Sequence, residues 1–212
     1  MSHFQNYIKA IDEPLPELKG AFDVELKLLK SLVNTKSILL DIGCGVGRPT
    51  DKLARFVKKI VAIDNDEQML LEATSRCMDV DNVEIIKEDA LNINFPDNIF
   101  DVVYATYNLI GSVNENDRQK LINEMRRVVK VGGLVVNFTW KTDDITTVFL
   151  KEYYSSIGIE VIGINNNKTI TSKGEFARIP EAELEKYYKS AGLKNVIFNN
   201  IGSVWIAVIG KK

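Results

Sequence analysis

The residues of this chain best suited to chemistry are a short glycine run and a few separated acids. Leu39-Leu40-Asp41-Ile42-Gly43-Cys44-Gly45-Val46-Gly47 ends an apolar stretch and leads into a helix-forming segment. Glycines let a backbone turn tightly and approach a ligand with no side chain in the way. A dinucleotide-binding loop would read GxGxxG. Counted from Gly43 its last position falls on Arg48, and counted from Gly45 on Thr50, so neither register completes it. The spacing present is GxGxG, two residues after Asp41. It suits a ligand with no pyrophosphate, whose amino-acid end meets loop amides and a nearby carboxylate.

Two further acids stand at comparable places. Asp64 ends Lys59-Ile60-Val61-Ala62-Ile63-Asp64, where a carboxylate accepts two hydrogen bonds from a ribose diol. A helix N-cap is its other use, but Asn65 beside it could cap equally well. Asp89 follows Ile85-Ile86-Lys87 in Glu88-Asp89-Ala90. Its carboxylate could accept from the exocyclic amine of adenine while the Ala90 amide serves a ring nitrogen; a solvated turn acid is the plain alternative. Cys44 reads as a small loop residue with no chemistry of its own.

Alternating elements must position these groups. Strands are expected at 37–42, 59–63, 83–87, 100–105 and 134–138, and helices at 49–57, 66–78 and 116–129, the last stopped by Gly132-Gly133. Such alternation implies a parallel sheet covered by helices on both faces. An N-terminal helical segment, 1–36, precedes it, with apolar residues at helical spacing from Glu17 to Val33. The segment 141–178 interrupts the pattern. It reads as a helix from Ile145 to Ser156, then a hairpin of 160–164 and 169–172 turning at Asn165-Asn166-Asn167. A closing helix after Pro180 and two strands, 196–199 and 204–209, joined at Gly202 and therefore antiparallel, complete the chain. The expected fold is α/β: one doubly wound, mostly parallel seven-stranded sheet with an antiparallel last pair, and a small insertion after the fifth strand. The whole of 1–212 reads as one domain.

In these residues the chain resembles the class I S-adenosylmethionine-dependent methyltransferases. Leu40 to Gly47 is similar to their first motif, Ala62 to Asp66 to their second, and Glu88-Asp89-Ala90 to their third. Phe100-Asp101-Val102-Val103 is similar to their fourth, and Leu121 to Phe138, with Gly132-Gly133-Leu134, to the helix–glycine–strand that follows. The resemblance is specific from about Ser37 to Trp140 and loose beyond. It implies a Rossmann-like methyltransferase domain that binds S-adenosyl-L-methionine. It places Asp41 near the methionine ammonium, Gly43, Cys44, Gly45 and Gly47 under the ligand, Asp64 with Asn65 at the ribose, and Asp89 with Ala90 at the adenine.

The acceptor belongs beyond the fourth strand, at the carboxyl edge of the sheet. That edge reads Tyr104-Ala105-Thr106-Tyr107-Asn108-Leu109-Ile110-Gly111. The Asn/Asp-Pro-Pro-Tyr signature, which resembles enzymes methylating nucleobase or glutamine nitrogens, is absent. Tyr107 and Asn108 are the acceptor-side candidates for a catalytic role, since a Tyr face attracts a cation such as a sulfonium methyl. A packed ring and a turn cap are the corresponding structural uses. Phe4 and Tyr7 could close over the cofactor, belong to a disordered tail or simply pack on the first helix; Trp140 could line the acceptor pocket or sit in the core, and Phe176 could face the acceptor. Arg178 is expected at the surface, with pairing to an acceptor carboxylate or phosphate as its functional alternative. His3, the single histidine, is assigned no role.

The chain has 212 residues and a formal net charge of -2, with 45% hydrophobic and 26% charged residues. This ordinary globular balance lacks the basic excess of a nucleic-acid binder. The two cysteines have no metal-ligand spacing, and no site for a metal is expected. No stretch reads as a signal peptide or a membrane span, so the expected location is cytoplasmic. The expected partner is a small-molecule or peptide acceptor, and the oligomeric state is open. Two other functions compete. One is an aminopropyl transferase on the same fold, which needs an acidic pocket that Tyr104 to Gly111 does not supply. The other is an inactive S-adenosylmethionine-binding partner or sensor.

Overall fold

Parallel strands must be buried on both faces, and the apolar runs of this sequence build such a sheet. In the computed structural model, which describes residues 2–165 and 167–212, β1 (Ile38–Ile42) pairs in parallel with β2 (Lys59–Asp64) on one side and with β4 (Phe100–Ala105) on the other. β3 (Val83–Lys87) extends the sheet beyond β2, and β5 (Val129–Trp140) extends it beyond β4. β9 (Lys194–Ile201) and β10 (Trp205–Lys211) close the chain as an antiparallel pair, with β10 inserted between β5 and β9. The order β3-β2-β1-β4-β5-β10-β9 is the expected seven-stranded sheet. Its chain direction of travel reverses between β1 and β4. At that point the loops leaving the two strands diverge and open a crevice at their carboxyl ends.

Helices cover both faces. α2 (Pro16–Ser31) buries Leu18, Ala21 and Leu29, with proline at the first turn, where its missing N–H costs nothing. α4 (Glu67–Arg76) starts at Asp66, whose carboxylate accepts from the Gln68 and Met69 amides. α6 (Arg118–Val128) and α8 (Glu181–Ser190) pack on one side of the sheet, burying Leu121, Ile122, Met125, Leu184 and Tyr188. No helix among the described residues is long and apolar enough to cross a membrane.

Three expectations of detail change. The helix after the glycine loop is short: α3 (Thr50–Leu53) passes into a 3-10 turn, Ala54–Phe56. Gly132-Gly133 does not stop a helix. α6 ends at Val128, and the glycines lie inside the first half of β5, where the pairing register with β4 shifts. The insertion has three strands, not two: β6 (Val161–Asn165), β7 (Lys168–Thr171) and β8 (Gly174–Ala177) form a separate antiparallel sheet. β8 has too few residues for alternation to reveal it. Of the expected Asn165–Asn167 turn, Asn166 lies outside the described residues. α1 (His3–Asp12) and α7 (Asp144–Ser156) complete the layer over the carboxyl edge, and α5 (Leu109–Ser112) is a single turn following β4.

Candidate active site

The cavity at the reversal point is about 180 Å³ and is walled by the ends of β1, β2, β4 and β5 together with α1, α7 and the small sheet. Gly43 and Gly45 from the first loop, Asp64 from the end of β2, and Tyr107 and Asn108 from the end of β4 all line it. Three of the residues expected for the cofactor thus share one space with the two expected for the acceptor.

The glycine loop is fixed by its backbone. Gly43 and Gly45 have φ of +64° and +53°, in the left-handed region that glycine enters at no steric cost. A Cβ on Gly43 would lie 2.7 Å from Leu109 Cδ1, and one on Gly45 would lie 2.7 Å from Tyr7 Oη. The Cys44 amide donates to the Ile63 carbonyl across to β2. Asp64 completes the join: its Oδ2 accepts from the Gly45 amide at 2.9 Å and its Oδ1 from the Asp66 amide at 3.0 Å. A carboxylate accepts about four hydrogen bonds, so Asp64 is oriented by the protein and still has lone pairs for a diol.

Other expected cofactor residues lie outside the cavity wall. Asp41 is fully buried behind the loop. Its Oδ2 accepts a short hydrogen bond from Thr50 Oγ1, and its Oδ1 is buried with no partner among the described residues. Burial pushes its carboxyl up to about 7, opposed by the Thr50 and Tyr104 hydroxyls. Cys44 is also buried, and desolvation raises its thiol well above the usual range. Gly47 packs on Ala73 of α4. Asn65 is exposed, and it is Asp66 that caps α4. Asp89, exposed, folds its Oδ1 onto the Leu91 amide at 2.8 Å, just past β3 and beside Ala90.

The acceptor side is aromatic. Tyr107 and Asn108 are consecutive non-glycine residues with φ of +53° and +62°. Strain of this kind persists only where the surroundings hold it. The Asn108 amide donates to Phe138 O at 3.0 Å, its Nδ2 to Ala177 O at 3.1 Å, and its Oδ1 accepts from Thr139 Oγ1. The turn aims the Tyr107 ring into the cavity, where its hydroxyl meets that of Tyr153 at 2.7 Å. Burial raises both hydroxyls, Tyr153 to about 12.

Six rings lining the cavity form a continuous series: Tyr7, Tyr107, Trp140, Tyr153, Tyr154 and Phe176. Successive centroids lie 5.0 to 6.3 Å apart. Trp140 belongs to core and pocket at once, 3% exposed with one face toward the cavity. Tyr153 and Tyr154 are not legible as site residues from sequence, since an amphipathic helix buries tyrosines equally well in a core.

Arg178 corrects its expectation. It is 2% exposed, donating from Nη1 to Thr147 Oγ1 at 2.6 Å and from Nη2 to Asn165 O at 2.9 Å. It ties α7 to the small sheet and is not part of the cavity wall. The side chain of His3 lies outside the described residues. Among those that are described, no three His, Cys, Asp or Glu side chains converge as metal ligands would.

Comparison with known proteins gives the family. The methyltransferase domain family matches residues 39–133. A demethylmenaquinone methyltransferase of Staphylococcus aureus is 30% identical over 168 residues, 74% of this chain and 68% of that protein. A sterol 24-C-methyltransferase of Eremothecium gossypii is 31% identical over 112 residues, 51% of this chain. The chain spans only 29% of the length of that relative. Among solved structures, a SAM-dependent methyltransferase from Aquifex aeolicus superposes with a TM-score of 0.68 at 22% identity, covering 95% of this chain and 96% of that one. This last likeness is one of fold.

Proposed function

The chain belongs to the class I S-adenosylmethionine-dependent methyltransferases, and from that premise we propose that it methylates a small-molecule acceptor held in the aromatic half of its cavity. The observation that carries this reading is the shared space: Gly43, Gly45 and Asp64 open onto the same cavity as Tyr107, Asn108 and Trp140.

The residues present fit the cofactor. Gly43 and Gly45 line the cavity with backbone alone, Asp64 faces it with spare lone pairs, and a buried carboxylate oxygen of Asp41 lacks a partner among the described residues. In this reading Asp64 holds the ribose and Asp41 answers the ammonium of the amino-acid end. Gly43 and Gly45 pass beneath it, with Cys44 and Gly47 shaping the loop. Asn65, Asp89 and Ala90 lie at the same sheet edge and serve the adenosine side. When bound, S-adenosylmethionine supplies an electrophilic methyl carbon on a sulfonium with a neutral leaving group. The protein's remaining work is to hold the acceptor close, aligned and dry. Tyr107, Trp140 and the rings of α7 exclude water, and Asn108 holds the turn that aims Tyr107.

An aminopropyl transferase would need acids in the acceptor half. The two carboxylates that line the cavity, Asp64 and Asp66, are engaged by backbone amides at its cofactor end. The test is calorimetry with S-adenosylhomocysteine and NAD, followed by methyl-label transfer from S-adenosylmethionine to metabolite pools. Binding of S-adenosylhomocysteine with label on a small molecule is expected. NAD binding without S-adenosylhomocysteine binding overturns the reading, and tight cofactor binding with no transfer to any pool favours a sensor.

A further inference from the structure

The acceptor half of the cavity is unusual in what it omits. Six rings wall it: Tyr7, Tyr107, Trp140, Tyr153, Tyr154 and Phe176. Among the described residues no Lys, Arg or His lines it. The guanidinium of Arg48 lies behind the wall, 6.0 Å from the Tyr107 ring. It is committed to Glu25 at 3.0 Å and stacked over Phe22 at 3.7 Å. The titratable groups of the acceptor wall are tyrosine hydroxyls. Burial holds those of Tyr7, Tyr107, Tyr153 and Tyr154 above their ordinary value, so none serves as a base near neutral pH. The two lining carboxylates are tied to amides at the other end.

These facts bear on the nucleophile. An alcohol or phenol must lose its proton to react, and among the described residues of the wall no side chain is placed to take it. A pre-formed anion would enter a largely aromatic chamber with no cation among the described residues of its wall to pair with, which is costly. A neutral amine meets neither obstacle, because its lone pair is available without a base. Aromatic faces also attract the positive charge that an amine product keeps.

We infer that the acceptor is an uncharged amine on an apolar body, and that the series of rings from Tyr7 to Phe176 is a cage for the ammonium formed on it. This rests on the methyltransferase reading and specifies its acceptor. The acceptor nitrogen's lone pair forms the new carbon–nitrogen bond. The carbon–sulfur bond breaks with its electron pair left on sulfur as a neutral thioether. The positive charge passes from sulfur to nitrogen, and any proton on the product nitrogen leaves later to water. While the sulfonium is in place, like charge excludes the protonated amine, so the neutral form is the one that reacts.

The experiment has a binding arm and a turnover arm. The binding arm uses the protein saturated with S-adenosylhomocysteine. It compares trimethylphenethylammonium with its neutral tert-butyl isostere by calorimetry. The cation is expected to bind at least tenfold more tightly, and Trp140→Leu and Tyr154→Leu are each expected to reduce that preference several-fold. S-adenosylhomocysteine affinity, measured for every variant, shows that each one folds. The turnover arm offers phenethylamine, N-methylphenethylamine, tyrosol and hydrocinnamate with methyl-labelled S-adenosylmethionine. Label is expected on nitrogen alone, at a rate that rises with pH as the free amine does. Equal binding of the cation and its isostere, or label on the phenol or carboxylate, overturns the inference. If S-adenosylhomocysteine itself fails to bind, the fault lies in the methyltransferase reading.

Discussion

The floor and the roof of the cavity are built in different ways. The floor is backbone: two glycines in the left-handed region, and a carboxylate fixed by two amides, at the ends of strands paired on both sides. The roof is side chain: rings from α1, α7 and β8, elements that lie outside the main sheet. A backbone site depends on a few residues at fixed spacing. A ring-lined site depends on distant segments converging, and many sequences can do that. In the function proposed above, the contrast would separate what binds a shared cofactor from what chooses an acceptor.

Substitutions in each half can break this contrast. The largest effect is expected at Asp41. Burial holds its carboxyl at about 7, well above the unfolded value of about 3.9. The native state therefore keeps a proton that the unfolded chain has released between these values. This contribution to stability is full below about pH 4 and is lost as pH rises through about 7. Asp41→Asn removes the titration. Denaturant melts at pH 8 should show a gain of about 2–4 kcal/mol, at roughly 1.4 kcal/mol for each tenfold difference in proton affinity between the folded and unfolded chain, and a flatter profile between pH 4 and 7. Affinity for S-adenosylhomocysteine should fall at the same time. A variant unchanged in both would show that Asp41 neither titrates on folding nor supports the floor from behind.

Asp64→Ala comes next. Loss of charged hydrogen bonds should weaken S-adenosylhomocysteine binding by about 1–3 kcal/mol while the melting curve keeps its cooperativity. Calorimetry giving wild-type affinity would place the ribose elsewhere.

The roof should respond independently. Arg178→Met removes the donors to the Thr147 hydroxyl and the Asn165 carbonyl, a cost of about 0.5–1.5 kcal/mol. Faster hydrogen exchange in α7 and β6 is expected, with acceptor KM raised and cofactor affinity little changed. Matching losses in cofactor affinity would show that the two halves are not separable. The smallest effect is expected from a chelator, which should leave turnover unchanged. Activity lost on chelation and restored by magnesium would contradict this.

The same contrast governs what the sequence reveals. The strands of the main sheet are legible because apolar runs between turn residues leave few other options. Gly43, Gly45 and Asp64 are legible because their spacing is set by one strand–turn–helix unit and its neighbour. Tyr107 and Asn108 do stand at the end of β4 as their sequence position implies, but their left-handed turn is invisible there, since no local pattern demands it. Tyr153, Tyr154 and the strand β8 escape a sequence reading because they acquire meaning only through packing. Arg178 misleads for the same reason: an isolated arginine reads as solvated until a carbonyl and a hydroxyl are found around it.

Asn108 carries a further consequence. Its backbone needs a positive φ, its amide group reaches Ala177 at the end of β8, and its carbonyl takes the Thr139 hydroxyl. Glycine would keep the turn but release both tethers; glutamine would lengthen the arm and resist the turn; aspartate would keep the turn but lose the donor to Ala177. Position 108 therefore leaves little room for drift as related sequences diverge. Its constancy would follow from joinery between floor and roof, with no need for the residue to touch a reacting atom.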